Sequence, residues 1–175
     1  MGIGLDRKTI QYRAYEMLTE EFDLIINDDG PGEAGDLVCL KDDGSQAICL
    51  CLVHCKNAYD GRPSNDIRNL YTVCGQAQKS ITAKHEGLRK LSTDLRRRHE
   101  KWAKRGGSRI LKGDLKVLSY FVEKSRKVPV KFEVIIVQPG ISRSSLTADM
   151  AKLLATTELF LKRTTEAQFT VVGSQ

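Results

Sequence analysis

Asp36 is the lone acid in the apolar stretch "GDLVCL" at residues 35–40. A second apolar run, "ICLCLV" at 48–53, stops abruptly in His54-Cys55-Lys56. A carboxylate, an imidazole and an ammonium together suit divalent-metal chemistry on a phosphodiester. Asp36 would supply a hard oxygen ligand and His54 a nitrogen ligand. Lys56 would orient an attacking water or stabilise charge on a pentavalent phosphate. The three groups can act together only if the chain folds them to one place, so the elements that carry them come next.

Residues 36–41 and 47–56 read as two strands, and the link "DDGSQ" between them has hairpin length and turn composition. As antiparallel neighbours they would set the start of the first strand, Asp36, beside the end of the second. Side-chain alternation puts Ile48, Leu50, Leu52, His54 and Lys56 on one face. Cys49, Cys51, Val53 and Cys55 lie on the other. Both faces are apolar through residue 53, the pattern of a central strand covered on both sides.

Around this hairpin the spacing predicts a helix over 6–21, capped by Asp6, with Ile10, Ala14, Met17, Leu18 and Phe22 recurring on one face. A strand over 22–27 and an acidic turn, "DDGPGE", follow. Asp28, Asp29 and Glu33 need no role beyond turn formation, and Glu33 would add a ligand if it sits at the strand start. "NAYDGRPS" reads as a loop, with Ser64 or Asn65 capping a helix over 65–83. The next helix, over 86–104, has Leu88, Leu91, Leu95 and Trp102 inward and Arg96, Arg97 and Arg98 outward. Residues 106–131 are ambiguous, "LKVLSYFV" fitting helix or strand. A buried strand over 131–140, a helix over 144–162 and a terminal strand "QFTVVGS" complete the chain. The order specifies α/β: a mixed central β-sheet flanked by α-helices, in a single domain over residues 1–175.

Composition narrows the classes. Five cysteines, an odd number, fit a reducing compartment, and no apolar run reaches membrane-spanning length, so a cytoplasmic protein without membrane attachment is expected. The cysteines at 49, 51 and 55 share one strand face, which cannot wrap a tetrahedral zinc ion. His85 and His99 lie in basic helical surroundings and read as surface or structural residues. Residues 84–131 hold 16 Lys and Arg against 5 Asp and Glu, whereas the whole chain carries only +6. Arg96, Arg97, Arg98, Lys101, Lys104 and Arg105 lead this block, which is a candidate polyanion surface or a solvated helix face.

An aspartate opening one strand and a (D/E)-x-K motif ending the next resembles the PD-(D/E)XK nuclease superfamily. Here the motif reads Asp36, then His54-Cys55-Lys56. "GEAGDLV" and "LVHCK" are most similar to its Mrr-like restriction branch. The resemblance implies a restriction-endonuclease-like core and a DNA endonuclease that requires Mg²⁺ or Mn²⁺. It implies Asp36, His54, Lys56 and Gln78 at the catalytic centre, with the metal on Asp36 and His54. Gln11 matches a first-helix glutamate of related enzymes, and Gln76 is assigned nearer the substrate phosphate than Gln78. The implied partners are DNA, single- or double-stranded, a helicase domain or other protein, and a second copy of the chain. His54 replaces the usual acid, which favours Mn²⁺ or a binding module without catalysis.

Overall fold

The computed structural model describes residues 5–44, 46–57 and 63–174. Within the expected loop "NAYDGRPS", residues 58–62 lie outside the described residues. The chain forms an α/β structure with a six-stranded mixed sheet and five helices: α1 (Ile10–Leu18), β1 (Leu24–Asn27), β2 (Leu37–Asp42), β3 (Ile48–Cys55), α2 (Ile67–Lys79), α3 (Ile81–Ala103), β4 (Ile110–Lys112), α4 (Leu115–Lys124), β5 (Val130–Val137), α5 (Ala148–Thr165) and β6 (Gln168–Val172). No helix among the described residues is long and apolar enough to cross a membrane.

The strands lie in the order β4-β1-β2-β3-β5-β6. β2 and β3 pair antiparallel from Asp42↔Ile48 to Leu37↔Val53, the predicted hairpin. β5 adds parallel to β3, ending at Cys55↔Val137, and β6 adds parallel to β5. Alternation sorts the core into two layers. Leu50, Leu52, Val134 and Ile136 pack with residues of α2, α3, α4 and α5. Cys49, Cys51, Val53 and Cys55 pack under Ile10, Ala14 and Leu18 of α1. All eight residues of β3 are buried, as both faces being apolar requires.

Several expectations are corrected. Helix α1 starts later than read: Thr9 is its cap, accepting from the Tyr12 N–H at 3.2 Å, while Asp6 closes the preceding turn through the Lys8 N–H at 3.0 Å. Met17, expected on the buried stripe, is half exposed. Asp66 caps α2, in place of Ser64 or Asn65. "LKVLSYFV" is helical because Asp114 accepts from the N–H groups of Lys116 and Val117 and so starts α4. β4, three residues pairing with β1, was not foreseen. The helix expected from 86 is the part of α3 beyond Gly87, whose φ of 79° and ψ of 165° interrupt the helical backbone. Trp102 is partly exposed and not inward; the Arg109 guanidinium lies 5.0 Å from its ring centroid.

Arg98 is the largest departure. Its side chain turns inward, with Nε 2.5 Å and Nη2 2.7 Å from the two carboxylate oxygens of Asp28, and Nη1 donates to the Gly32 carbonyl at 3.1 Å. Asp28 has no exposed surface, and its Oδ2 also accepts from the Ala34 N–H at 3.0 Å. The pair thereby fixes the loop between β1 and β2 onto α3. Removing one partner strands the other charge out of water. Arg98→Met should therefore lower stability at neutral pH by about 3–5 kcal/mol. Asp28→Asn in the same chain should restore much of that loss; urea denaturation of the single and double variants measures both.

Candidate functional site

The loop that Arg98 holds carries the acids. Arg109, buried in its turn, donates to the carbonyls of Asn27 at 3.1 Å and Asp29 at 2.9 Å. The Gly30 N–H donates to Glu33 at 2.6 Å, closing the turn from within. The result brings one carboxylate oxygen from each of Asp29, Glu33 and Asp36 within 4.8 Å of one another. The three range from exposed Asp29 through Glu33 to buried Asp36.

Asp36 sits one residue before the first pair of the β2–β3 ladder, Leu37↔Val53. There its carboxylate replaces a backbone partner: Oδ2 accepts from the Cys55 N–H at 2.7 Å, and Oδ1 accepts from Gln11 Nε2 at 3.4 Å. Burial pushes the Asp36 carboxyl up to about 6; the Cys55 N–H opposes that rise, and the charges of Glu33 and Asp29 add to it. Burial likewise raises Glu33, against the Gly30 N–H. Two neighbouring carboxyls, Asp36 and Glu33, that hold their protons more tightly than usual would be relieved by a cation placed between them. The donors are hard oxygens, so the set fits Mg²⁺ or Mn²⁺.

His54 does not belong to that group. Its ring turns toward the C-terminal end of α2, where Nε2 lies 2.8 Å from Ser80 Oγ. Nδ1 is buried without a partner. Burial alone pushes the imidazole down to about 4, so the ring is neutral near pH 7. Its close neighbour is Gly35: a Cβ there would stand 3.4 Å from His54 Cε1 and 3.1 Å from the Val53 carbonyl oxygen. The strand start and strand end do come together as expected. The side chains then part, Asp36 toward Cys55 and Gln11, His54 toward Ser80.

Lys56 continues the β3–β5 ladder, its N–H donating to the Val137 carbonyl at 3.0 Å. The residue as a whole is half-buried, and its ammonium has no hydrogen bond or ion pair among the described residues. Gln11 lies against Asp36, its Nε2 donating to Oδ1 at 3.4 Å. Gln78 is not turned toward it: Nε2 donates to Thr157 of α5 at 3.2 Å. Gln76 lies on the opposite flank of α2, one turn before Ser80, with its Oε1 buried and unpartnered. Gln78 is thus taken up by α5, and neither glutamine has a hydrogen bond to Asp29, Glu33 or Asp36 among the described residues. Asp29 was read only as a turn residue. The signal that could have found it is the density of acids in "DDGPGE" ahead of Asp36.

The basic block divides as well. Arg96 donates to the Leu115 carbonyl at 3.1 Å and to Ser119 Oγ at 2.7 Å, Arg97 pairs with Asp94 at 3.0 Å, and Arg98 is internal. Lys101, Lys104 and Arg105 are exposed and carry no ion pair among the described residues. They follow Arg98 along and just beyond α3, so the free cations begin about one turn from the acidic loop.

Comparison with protein-family models, with curated proteins and with solved structures finds no match to this chain.

The buried acid and the buried imidazole make opposite demands on pH. Between about pH 4 and 6 folded Asp36 keeps a proton that the unfolded chain releases, so its contribution to stability falls as pH rises. Over the same interval the unfolded chain protonates His54 and the folded chain does not, so that contribution grows as pH rises. In chelator, Asp36→Asn should remove the first effect and make stability climb more steeply from pH 4 to 6 than in wild type. His54→Gln should do the reverse. Each difference should be on the order of 3 kcal/mol across the window, read from denaturant midpoints at successive pH values.

Proposed function

We propose that this chain is a divalent-metal-dependent nuclease that hydrolyses DNA phosphodiesters, built on a restriction-endonuclease-like core and serving as the nuclease domain of a larger helicase or defence protein. The observation that carries this reading is the 2.7 Å hydrogen bond from the Cys55 N–H to Asp36. It brings the acid of one strand to the strand end from which Lys56 emerges. The order of elements supports it too: a helix, an antiparallel three-strand meander, a helix and, after α3, β4 and α4, a strand parallel to the last of the meander. Apart from those three intervening elements, that is the order the motif implies.

Asp36, with Glu33 and Asp29 beside it, would hold Mg²⁺ or Mn²⁺, and the ion when bound supplies Lewis-acid polarisation of a phosphoryl oxygen. The chain's own groups do the rest. Lys56 orients the water that attacks phosphorus and stabilises the negative charge that develops as the P–O ester bond breaks. Gln11 holds Asp36 in place through its amide. Lys101, Lys104 and Arg105 hold flanking phosphates, while Arg98 supports the loop from inside. Oxygen ligands from the loop replace the charge that a neutral His54 does not bring, which removes the reason to expect Mn²⁺ over Mg²⁺.

A second reading, a nuclease-fold module that binds nucleic acid or a protein partner without cutting, is favoured by one observation. His54 occupies the motif's acidic position and is committed to Ser80.

Cleavage of single- and double-stranded DNA with Mg²⁺ and with Mn²⁺ separates the two. Asp36→Ala should abolish cleavage. Lys56→Ala should slow it by roughly a hundredfold or more, as for loss of one electrostatic stabiliser, with DNA affinity nearly unchanged. A wild-type protein that binds DNA and never cuts it would establish the second reading. Reversing Lys101, Lys104 and Arg105 to glutamate should weaken binding to every sequence. It should also flatten the salt dependence, by about 0.9 in slope for each phosphate no longer neutralised. Unchanged affinity at low salt would assign these residues to solubility.

A further inference from the structure

Gln138 follows β5 at the same end of the sheet, and it has no exposed surface. Neither its amide oxygen nor its amide nitrogen has a hydrogen-bond partner among the described residues. Its backbone N–H donates to the Val172 carbonyl at 2.9 Å, so the main chain is held by β6 and leaves the side chain no part in the turn. A buried primary amide with both ends unmet is uncommon in a folded protein and calls for a partner that arrives with function.

The ladder says which group stands next to it. Cys55 pairs with Val137, and the Lys56 N–H donates to the Val137 carbonyl, so the next step of the parallel register sets Lys56 beside Gln138. Neighbours across a parallel ladder project from the same face, about 4.8 Å apart. On β5 that face carries Val134 and Ile136, and on β3 Leu52 and His54. Lys56 offers three donors with no acceptor, and Gln138 offers an unused acceptor.

We infer that Gln138 is a positioning residue for Lys56: its Oε1 accepts a hydrogen bond from the ammonium and aims it at the scissile phosphate. This rests on the hydrolysis proposed above. A neutral acceptor suits the task, because it fixes the direction of the cation without cancelling the charge that the transition state uses, as a carboxylate would. Before DNA arrives the ammonium can remain in water, which leaves the amide unmatched.

Gln138→Met keeps the shape and removes the acceptor. Single-turnover cleavage of DNA with Mn²⁺ should slow at least tenfold, with affinity measured in Ca²⁺ within twofold of wild type and no loss of melting temperature. In a Lys56→Met background the same change should have no further effect, because the amide acts only through the ammonium. Wild-type cleavage by Gln138→Met, or a loss that persists in the Lys56→Met background, overturns the assignment. A second measurement needs neither cleavage nor a folded Gln138 variant. The side-chain amide resonances of Gln138 should shift when an oligonucleotide and Ca²⁺ are added to wild type, and not when they are added to Lys56→Met. If wild type fails to cut DNA, the nuclease reading falls and these resonances still decide the pairing; an equal response in both proteins refutes it.

Discussion

Where β1 runs out, the chain places a carboxylate with no exposed surface and answers it with a guanidinium from α3. Burying both charges is costly, and burial still raises the Asp28 carboxyl against the pull of Arg98. The geometry that justifies the cost is bidentate, and its reach exceeds two residues. Asp28 also takes the Ala34 N–H, and Arg98 also takes the Gly32 carbonyl, so one ion pair holds both limbs of the loop. Asp29, Glu33 and Asp36 repel one another across less than 5 Å. A loop carrying three such acids would open unless something stronger closed it. The buried pair does, and the three acids stay together because it does.

The sheet imposes the second constraint. β3 is covered on both faces, so polar chemistry can begin only where the covering layers end. His54, Lys56 and Gln138 all fall at that level, on two parallel strands that finish together. Asp36 reaches the same level from the opposite direction, because the hairpin is antiparallel. An acid before one strand and a base after the next are thus brought together by strand direction alone.

What could be read from the letters follows the same division. Period-two alternation in "ICLCLVHC" is a local property, and it specified both core layers and the face of His54 before any packing partner was known. The hairpin was legible from five turn residues. β4 was not, because three residues are too few to show a period, and its place is set by pairing with β1. The basic run at 96–98 reads as largely outward, whereas the partner that draws Arg98 in lies 70 residues earlier. Helical spacing placed Gln76 and Gln78 on different flanks of α2 but could not say what would take up the Gln78 amide. That depends on Thr157, on a helix far down the chain.

His54 shows how the two constraints interact. A carboxylate at that position would have to lie against Gly35 and Ser80, where the side chain is almost wholly shielded from water. A neutral ring fits there without a buried charge, and its hydrogen bond to Ser80 fastens the end of α2 to the end of β3.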